Sequence, residues 1–208
     1  MRRTAIPLLV SLCVPALAHA QRSNDTLSLA GKNIISLGFG LTGARDATAT
    51  GTQASTHATG ELGYLGYGHY VHPQAAVEIT VGVLSTDTFE QAGRSHANTI
   101  TPVLFGVRYS PEPIALTRSL RPFVSLAAGP YVHTVADVSD FGTASTTTET
   151  TAGARLGAGV DWYVARHFML RIEGDYHGVG SFEHPDALTE NASGFGFGFG
   201  IGIPWGGR

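Results

Sequence analysis

From residue 194 to residue 205 the chain alternates strictly between two kinds of residue, and this alternation restricts its fold more than any other feature. One set is large and apolar, and the other is almost entirely glycine. The apolar residues are Phe195, Phe197, Phe199, Ile201, Ile203 and Trp205, and the glycines between them are Gly196, Gly198, Gly200 and Gly202. A repeat of two residues places the two sets on opposite faces of a β-strand. We therefore predict a strand with one wholly apolar face.

Seven more segments of similar length precede it, and most of them alternate in the same way. In the third of them, Val77, Ile79 and Val81 alternate with Glu78 and Thr80. No long segment has the period of a helix. The eight segments cover approximately 33–43, 60–71, 74–84, 98–109, 121–133, 151–164, 167–178 and 193–205. An all-β fold of eight strands is predicted.

The connections between these segments alternate in length. The turns at 72–73 and 165–166 are very short, and the proline-containing link 110–120 is somewhat longer. The other four connections are long and rich in Thr, Ser, Ala, Gly and Asp, and they cover 44–59, 85–97, 134–150 and 179–192. Short turns at one end and long loops at the other, with an even strand number, are typical of an antiparallel up-and-down barrel in a bacterial outer membrane. The fold class predicted is therefore an eight-stranded transmembrane β-barrel.

The first twenty residues have the pattern of a secretory signal peptide. Two arginines precede an apolar stretch that is too short for a comfortable membrane span, and Ala18-His19-Ala20 forms a small-x-small cleavage site. Cleavage after Ala20 would remove Cys13, the only cysteine. We expect a signal peptide at 1–20, a short periplasmic leader at 21–32 and the barrel domain at 33–208.

Composition excludes other classes of protein. Charged residues make up only 14% of the chain, against roughly 25% in typical soluble proteins. Past residue 20, nothing approaches the ~18–20 unbroken apolar residues that a membrane helix needs. The formal net charge of −3 provides no basic surface for nucleic acid. Neither a bundle of membrane helices nor a nucleic-acid partner is expected.

A secreted eight-stranded barrel could instead be a soluble, lipocalin-like carrier with an apolar interior. The residues of the polar face distinguish the two, because glycine weakens a water-facing strand but suits a crowded lumen. Eight strands leave an interior that is filled by its own side chains. The glycines on this face outside the last segment are Gly38, Gly40, Gly82, Gly106, Gly129, Gly157 and Gly159. Their number predicts that the polar face points inward and that the apolar face contacts lipid.

Two groups of candidate site residues follow from this orientation. Charged residues at inward positions are expected to form a paired network, because buried charges need partners; they are Glu78, Arg108, Arg155, Asp161, Arg171, Glu173 and Asp175. Arg155 or Arg171 is expected to bridge across the lumen to Glu78, Glu173 or Asp175. Aromatic residues beside the short turns are expected to form a girdle at one lipid–water interface; they are Tyr70, Tyr109, Trp162, Phe168 and Trp205. A second aromatic band is expected nearer the long loops, from Tyr64, Tyr131 and Tyr176.

In these features the chain resembles the small outer-membrane barrels of the OmpA/OmpX/OmpW-like superfamily. The resemblance covers nearly all of residues 21–208 and rests on the eight segments, the aromatic-rich last strand and the blocks 121–131 and 157–163. It implies contacts with outer-membrane lipid and lipopolysaccharide, with periplasmic chaperones and with the barrel-insertion machinery. It also implies a monomer.

Residues with catalytic potential are few. Some barrels of this membrane modify lipid A, and Ser95-His96-Ala97-Asn98 is similar to the His-x-Ser-Asn motif of lipid A deacylases. Alanine occupies the position of the nucleophilic serine, and the histidines lack metal-ligand spacing, although His133 and His177 are expected to face inward. We expect no enzymatic activity, no metal and no cofactor. The function expected is structural or surface-interactive, with transport of a small solute or hydrophobic compound as the alternative; a lipid-modifying enzyme and a periplasmic carrier are less favoured.

Overall fold

The computed structural model describes residues 29–44, 59–91, 94–111, 119–139, 144–182 and 192–207. The predicted signal peptide and residues 21–28 of the predicted leader lie outside this part of the chain. The described residues form strands joined by turns, and no helix among them is long and apolar enough to span a membrane.

Eight antiparallel strands close into one barrel in chain order, with β1 paired to β8. The strands are β1 Lys32–Ala44, β2 Thr59–His72, β3 Ala75–Gln91, β4 Arg94–Tyr109, β5 Leu120–Ser139, β6 Ala144–Ala165, β7 Phe168–Val179 and β8 Gly194–Gly206. Every strand pairs with its sequence neighbour. The predicted eight-stranded up-and-down barrel is confirmed.

Two of the predicted long connections are wrong. β3 and β4 continue to Gln91 and from Arg94, and β5 and β6 continue to Ser139 and from Ala144. Most of 85–97 and 134–150 is therefore paired strand. Threonine is a good strand former because it is β-branched, so a Thr-rich composition does not exclude a strand. In β6, Thr146, Thr147 and Thr148 are exposed and lie within the strand. The other two connections, 45–58 and 183–191, lie outside the described residues.

The two faces of the barrel wall have the predicted orientation. Large apolar residues of every strand point outward, and Phe195 exposes 70% of its surface and Leu156 exposes 61%. Charged residues of the same strands are buried, with Arg171 at 4% and Asp161 at 1% exposure. A lipocalin-like carrier would have the opposite arrangement, and the structure contradicts it.

Inward glycines allow close approach where β1 meets β8. Gly38 pairs with Gly200, and Gly40 pairs with Gly198. A Cβ on Gly40 would collide with the backbone of β8, at 2.8 Å from the Cα of Gly198. A Cβ on Gly38 would collide with the ring of Tyr64, which occupies the space that the glycines leave.

Apolar clusters lie near both ends of the lumen. The short-turn cluster comprises Leu29, Ile34, Tyr70, Ala76, Tyr163 and Met169. The loop-end cluster comprises Leu62, Tyr64, Leu84, Ile100, Leu104, Ala127, Tyr131 and Phe182. Leu29 is fully buried, although it belongs to the predicted leader. It is held there by the turn in which the Lys32 N–H donates to the Leu29 carbonyl at 2.9 Å and the Gly31 N–H donates to the Tyr70 carbonyl at 2.9 Å.

Candidate functional site in the charged lumen

All seven predicted lumen residues point inward from β3, β4, β6 and β7. Six are buried, with 1–6% of their surface exposed: Arg108, Arg155, Asp161, Arg171, Glu173 and Asp175. Glu78 exposes 15% of its side chain. Alternation along the strands is sufficient to place these residues in the lumen.

Four of the seven form a continuous chain of ion pairs, which we call the charged chain. Asp161 lies at its centre and accepts from both sides: Arg171 Nε is 2.7 Å from Asp161 Oδ1, and Arg108 Nη1 is 3.1 Å from Asp161 Oδ2. A second nitrogen of Arg171, Nη2, also donates to Asp161 Oδ2 at 3.1 Å. Arg108 continues the chain to Glu78, with Nε 2.6 Å from Glu78 Oε1. Four strands are thus connected across the lumen.

Phe123 of β5 supports the same group, and the sequence analysis did not single it out. The Arg108 guanidinium carbon lies 3.9 Å from the centre of the Phe123 ring, and that of Arg171 lies 5.0 Å from it. A cation over an aromatic face is attracted by the ring quadrupole, and more strongly where water is excluded. The ring therefore stabilises both cations that Asp161 binds.

The ion pairs differ from those predicted, which joined Arg155 or Arg171 to Glu78, Glu173 or Asp175. Arg171 pairs instead with Asp161, its register partner on β6. Glu173 and Asp175 lie beside Gly159 and Gly157 on β6, and beside Gly198 and Gly196 on β8. Glycines therefore face both carboxylates across the two neighbouring strands, while Arg171 lies two residues before Glu173 on the inward face of β7. Among the described residues we find no ion pair for Arg155 or Glu173.

A second polar group lies closer to the loop end. His177 Nδ1 is 2.9 Å from the hydroxyl of Tyr131, and His177 Nε2 is 3.2 Å from Asp175 Oδ1. All three side chains are buried. His133, also buried, packs against Phe182 with ring centres 4.9 Å apart. The prediction that both histidines face inward is confirmed.

One buried cation was missed. Arg121 of β5 exposes 6% of its surface, and its guanidinium lies 5.9 Å from the centre of the Tyr163 ring. Its register partner on β6 is Asp161. The alternation of β5 could have identified it, because Arg121 shares the parity of the inward Phe123 and Ser125. With Arg121 included, the described lumen holds four arginines and four carboxylates.

Of the five residues predicted to form a girdle beside the short turns, four point outward, and the prediction is wrong for Tyr70, which points inward. Tyr109, Phe168 and Trp205 are 49%, 39% and 36% exposed, and Trp162 occupies an outward position of β6. Tyr70 is 2% exposed, because it shares the inward face of β2 with Gly66 and Gly68. In the predicted second band, Tyr64 and Tyr131 are likewise buried inside the barrel, whereas Tyr176 points outward and packs against Phe195, with ring centres 4.8 Å apart.

An outward tyrosine that was not predicted stands near the position expected for Tyr70. Tyr67 is 42% exposed, and its ring centre is 6.1 Å from that of Trp205. Its hydroxyl donates to Asn33 Oδ1 at 2.8 Å. Two hydrogen-bonding aromatic side chains therefore lie together on the outer wall near the short turns.

The described residues contain no group of three or more His, Cys, Asp or Glu that could hold a metal ion. The backbone of Ser95-His96-Ala97-Asn98 belongs to β4, and the side chains of this segment are outside the part of the chain whose side chains are described.

A family model for the outer membrane protein beta-barrel domain matches residues 4–203 of the chain. No curated protein sequence matches it. Among solved structures, OprG from Pseudomonas aeruginosa is 16% identical with a TM-score of 0.55, over 88% of this chain and 100% of that one. Neisserial surface protein A is 11% identical with a TM-score of 0.57, over 84% and 97%. Ail, the attachment invasion locus protein of Yersinia pestis, is 13% identical with a TM-score of 0.54, over 85% and 99%. At these identities the likeness concerns the fold alone.

Proposed function

Because this chain belongs to the outer membrane protein beta-barrel family, we propose that it is an integral outer-membrane barrel with a closed lumen and a structural or surface-interaction role. The observation that carries the proposal is the charged chain, in which Asp161 joins Arg108 and Arg171 across the lumen. An eight-stranded barrel has no room for a water channel beside such side chains. The apolar clusters toward both ends support the same conclusion.

Closure is tested by conductance. Purified protein reconstituted in a planar lipid bilayer should give little or no steady current. Large, stable and non-selective channels would contradict the closed lumen and would favour solute transport. A sample of the same protein unfolded before addition controls for leakage from detergent.

The surface role is supported by the strands that continue past the barrel. β3 to β6 remain paired up to Gln91–Arg94 and Val138–Ala144, and Ser145, Thr146, Thr147 and Thr148 are all exposed. Ail, one of the proteins of similar fold, is named for attachment and invasion. The β5–β6 hairpin is the proposed contact surface. Deleting 137–146 and joining β5 to β6 by a short turn should abolish adhesion of expressing cells and leave the barrel folded. Unchanged adhesion would contradict the surface role, and only the structural role would remain.

The proposed route of export and membrane insertion is the one expected for the family. Cleavage after Ala20 releases a mature protein that periplasmic chaperones deliver to the barrel-insertion machinery. Outer-membrane lipid and lipopolysaccharide then surround a monomer. Mass spectrometry of the purified protein tests the cleavage site, since it should give Gln21 as the first residue. We propose no enzymatic activity, because Ala97 stands where a deacylase would need serine.

A second candidate function, passage of a hydrophobic compound through the wall, is favoured by one observation. The β3–β4 register passes from Val81–Val103 to Leu84–Ile100 without pairs between them. The β4–β5 register has the same kind of gap between Pro102–Tyr131 and Phe105–Ala128. Pro102 and Pro130 lie at these gaps, and proline has no N–H to donate. The loop-end cluster lines the lumen at this height.

Liposome uptake distinguishes this candidate from a closed barrel. A nonpolar fluorescent naphthylamine should enter liposomes with a lipopolysaccharide outer leaflet, which retards apolar compounds, faster when the protein is present, if the gap admits it. Replacing both prolines by valine would restore two donors and slow the uptake. Equal uptake with and without the protein would exclude the candidate.

A further inference from the structure

Four side chains near the short turns form a polar patch on the outer wall of the barrel, which we call the interfacial patch. Asn33 of β1 pairs in register with His69 of β2 and with Trp205 of β8, so these three lie in one row across neighbouring strands. Tyr67 lies two residues before His69 on the same face of β2. The next row toward the middle of the wall is apolar beside Tyr67, with Ile35 and Ile203 both exposed. The patch therefore lies at the edge of the lipid-facing surface.

Hydrogen bonds within the interfacial patch determine which of its atoms remain available. The Tyr67 hydroxyl donates to Asn33 Oδ1 at 2.8 Å, and His69 Nδ1 lies 2.9 Å from the same oxygen. An amide oxygen can only accept, so the proton of the neutral imidazole is on Nδ1 and His69 Nε2 keeps a lone pair. In the part of the chain that the structure describes, no group donates to that nitrogen.

Two donors of the patch likewise have no acceptor among the described residues. The first is the Asn33 amide nitrogen, which lies on the side of β8, because a Cβ on Gly206 would be 3.2 Å from it. The second is the indole N–H of Trp205. A polar group that is left unpaired in hydrocarbon costs free energy. At the edge of the lipid-facing wall, these donors therefore favour an acceptor from the membrane interface.

The two aromatic rings of the patch provide a surface for a cation. The ring centres of Tyr67 and Trp205 are 6.1 Å apart, and their planes are inclined by 48°. A cation over the face of a Trp or Tyr ring is attracted by the ring quadrupole. With its histidine neutral, the patch carries no formal charge. It therefore suits a ligand that brings both a cation and an anion.

We propose that the interfacial patch binds the headgroup of one phospholipid that carries a primary ammonium group. The ammonium donates to His69 Nε2 and lies against the rings of Tyr67 and Trp205. The phosphate accepts from the Asn33 amide and from the indole N–H. The acyl chains then follow the apolar wall of β1, β2 and β8. This inference rests on the proposed membrane location of the barrel, and it names the lipid that one leaflet contributes.

Native mass spectrometry of the full mature chain tests the headgroup. The folded protein in detergent is offered equal amounts of phosphatidylethanolamine, phosphatidylcholine and phosphatidylglycerol with identical acyl chains. We expect one phosphatidylethanolamine to be retained about tenfold better than phosphatidylcholine, because a trimethylated ammonium has no N–H to donate to His69. Equal retention of these two lipids, or a preference for phosphatidylglycerol, would overturn the proposal.

His69→Phe tests the acceptor, because it keeps an aromatic ring and removes the lone pair. It should retain phosphatidylethanolamine and phosphatidylcholine equally. His72→Phe is the matched control on the same strand, since His72 is exposed and its Nδ1 accepts from the Gln74 N–H at 3.3 Å. It should keep the preference of the wild type. If His69→Phe keeps that preference too, the ammonium does not bind at His69 and the proposal is wrong.

Trp205→Phe provides a second variant that addresses the phosphate. It removes the indole N–H and should weaken retention of both lipids by about three- to tenfold without changing the ratio between them. Unchanged retention would contradict the assigned phosphate position. Migration on unheated gels shows whether each variant is folded. A folded wild-type barrel that inserts into vesicles but retains no phospholipid would overturn this site alone, whereas failure to insert would contradict the proposed function.

Discussion

Asp161 is the residue on which the interior of this barrel most depends. Its two oxygens bind Arg108 and Arg171 at 2.7–3.1 Å, and it is 1% exposed. Removing one partner from a buried set leaves an uncompensated charge, and the resulting cost exceeds what the pair itself contributes. A change at Asp161 would remove the ion pair of Arg171 and leave Arg108 with Glu78 alone.

Asp161→Asn should therefore lower the free energy of unfolding by about 3–5 kcal/mol. The amide has nearly the size of the carboxylate, so the change isolates charge from packing. Urea unfolding in lipid vesicles, followed by tryptophan fluorescence, measures the effect. Thr148→Asn, at an exposed position of the same strand, should leave the unfolding midpoint unchanged. Equal midpoints for both variants would mean that the charged chain contributes nothing.

At the scale of the single strand, the two faces obey opposite requirements. The outward face of β3 carries Val77, Val81 and Val83, each 44–47% exposed although apolar, which suits contact with lipid. The inward face of β8 is mostly glycine, which allows β1 to approach closely and leaves room for side chains of β2 and β7.

A charge on the lipid face tests the first requirement. Val81→Arg should cost about 2–4 kcal/mol near the bilayer midplane, whereas Thr146→Arg, at an exposed position near the outer end of β6, should cost almost nothing. Folding yield and urea stability in vesicles measure both. Equal tolerance at the two positions would contradict a lipid-facing β3.

A methyl group at the β1–β8 seam tests the second requirement. Gly40→Ala should destabilise the barrel by about 1–3 kcal/mol, because its Cβ meets backbone that cannot rotate away. Gly43→Ala, on the same strand, places its Cβ where nothing lies within 4 Å and serves as the control. The migration of folded protein on gels without heating reports the difference. If Gly40→Ala is as stable as the wild type, the backbones of β1 and β8 can move apart to accept the methyl group, and the prediction is wrong.

At the scale of the whole molecule, the short turns lie at one end of the barrel and the loop-end cluster at the other. The two ends of the link 110–120 are bonded to the short-turn end, where the Ser110 N–H donates to Gln74 and the Tyr163 N–H donates to Ser119. We expect this end to face the periplasm.

Protease added to intact cells tests that topology. Cleavage should occur within 45–58 or 183–191 and should spare the link 110–120. The β3–β4 and β5–β6 hairpins should resist cleavage for longer than unpaired loops of the same composition, because their backbones are paired nearly to the tips. Cleavage confined to the link in intact cells would invert the topology, and permeabilised cells provide the control for access.

Alternation predicted the strands and their faces because membrane and lumen impose opposite chemistry on successive residues. It could not predict the partners within the lumen, since these depend on which side chains the strand register brings to one height. Arg171 meets Asp161 for that reason, while the register partners of Glu173 on both neighbouring strands are glycines. The prediction for Tyr70 is wrong because it used only the distance of this residue from the strand end. The alternation along β2 places Tyr70 on the inward face. Arg121 was not predicted to be in the lumen, although it alternates in phase with the inward Phe123 and Ser125.

With the short turns toward the periplasm, as expected, the unequal lengths of the strands set how far the molecule would stand out from the cell. β6 pairs with β7 only from Gly153 onward, so residues 144–152 rise above that rim. At ~3.3 Å per residue and a tilt of roughly 40°, they add about 20 Å of height. An antibody approaching the bacterium would meet this threonine-rich edge before the mouth of the barrel. Sera raised against whole cells should therefore be dominated by epitopes that include 145–150.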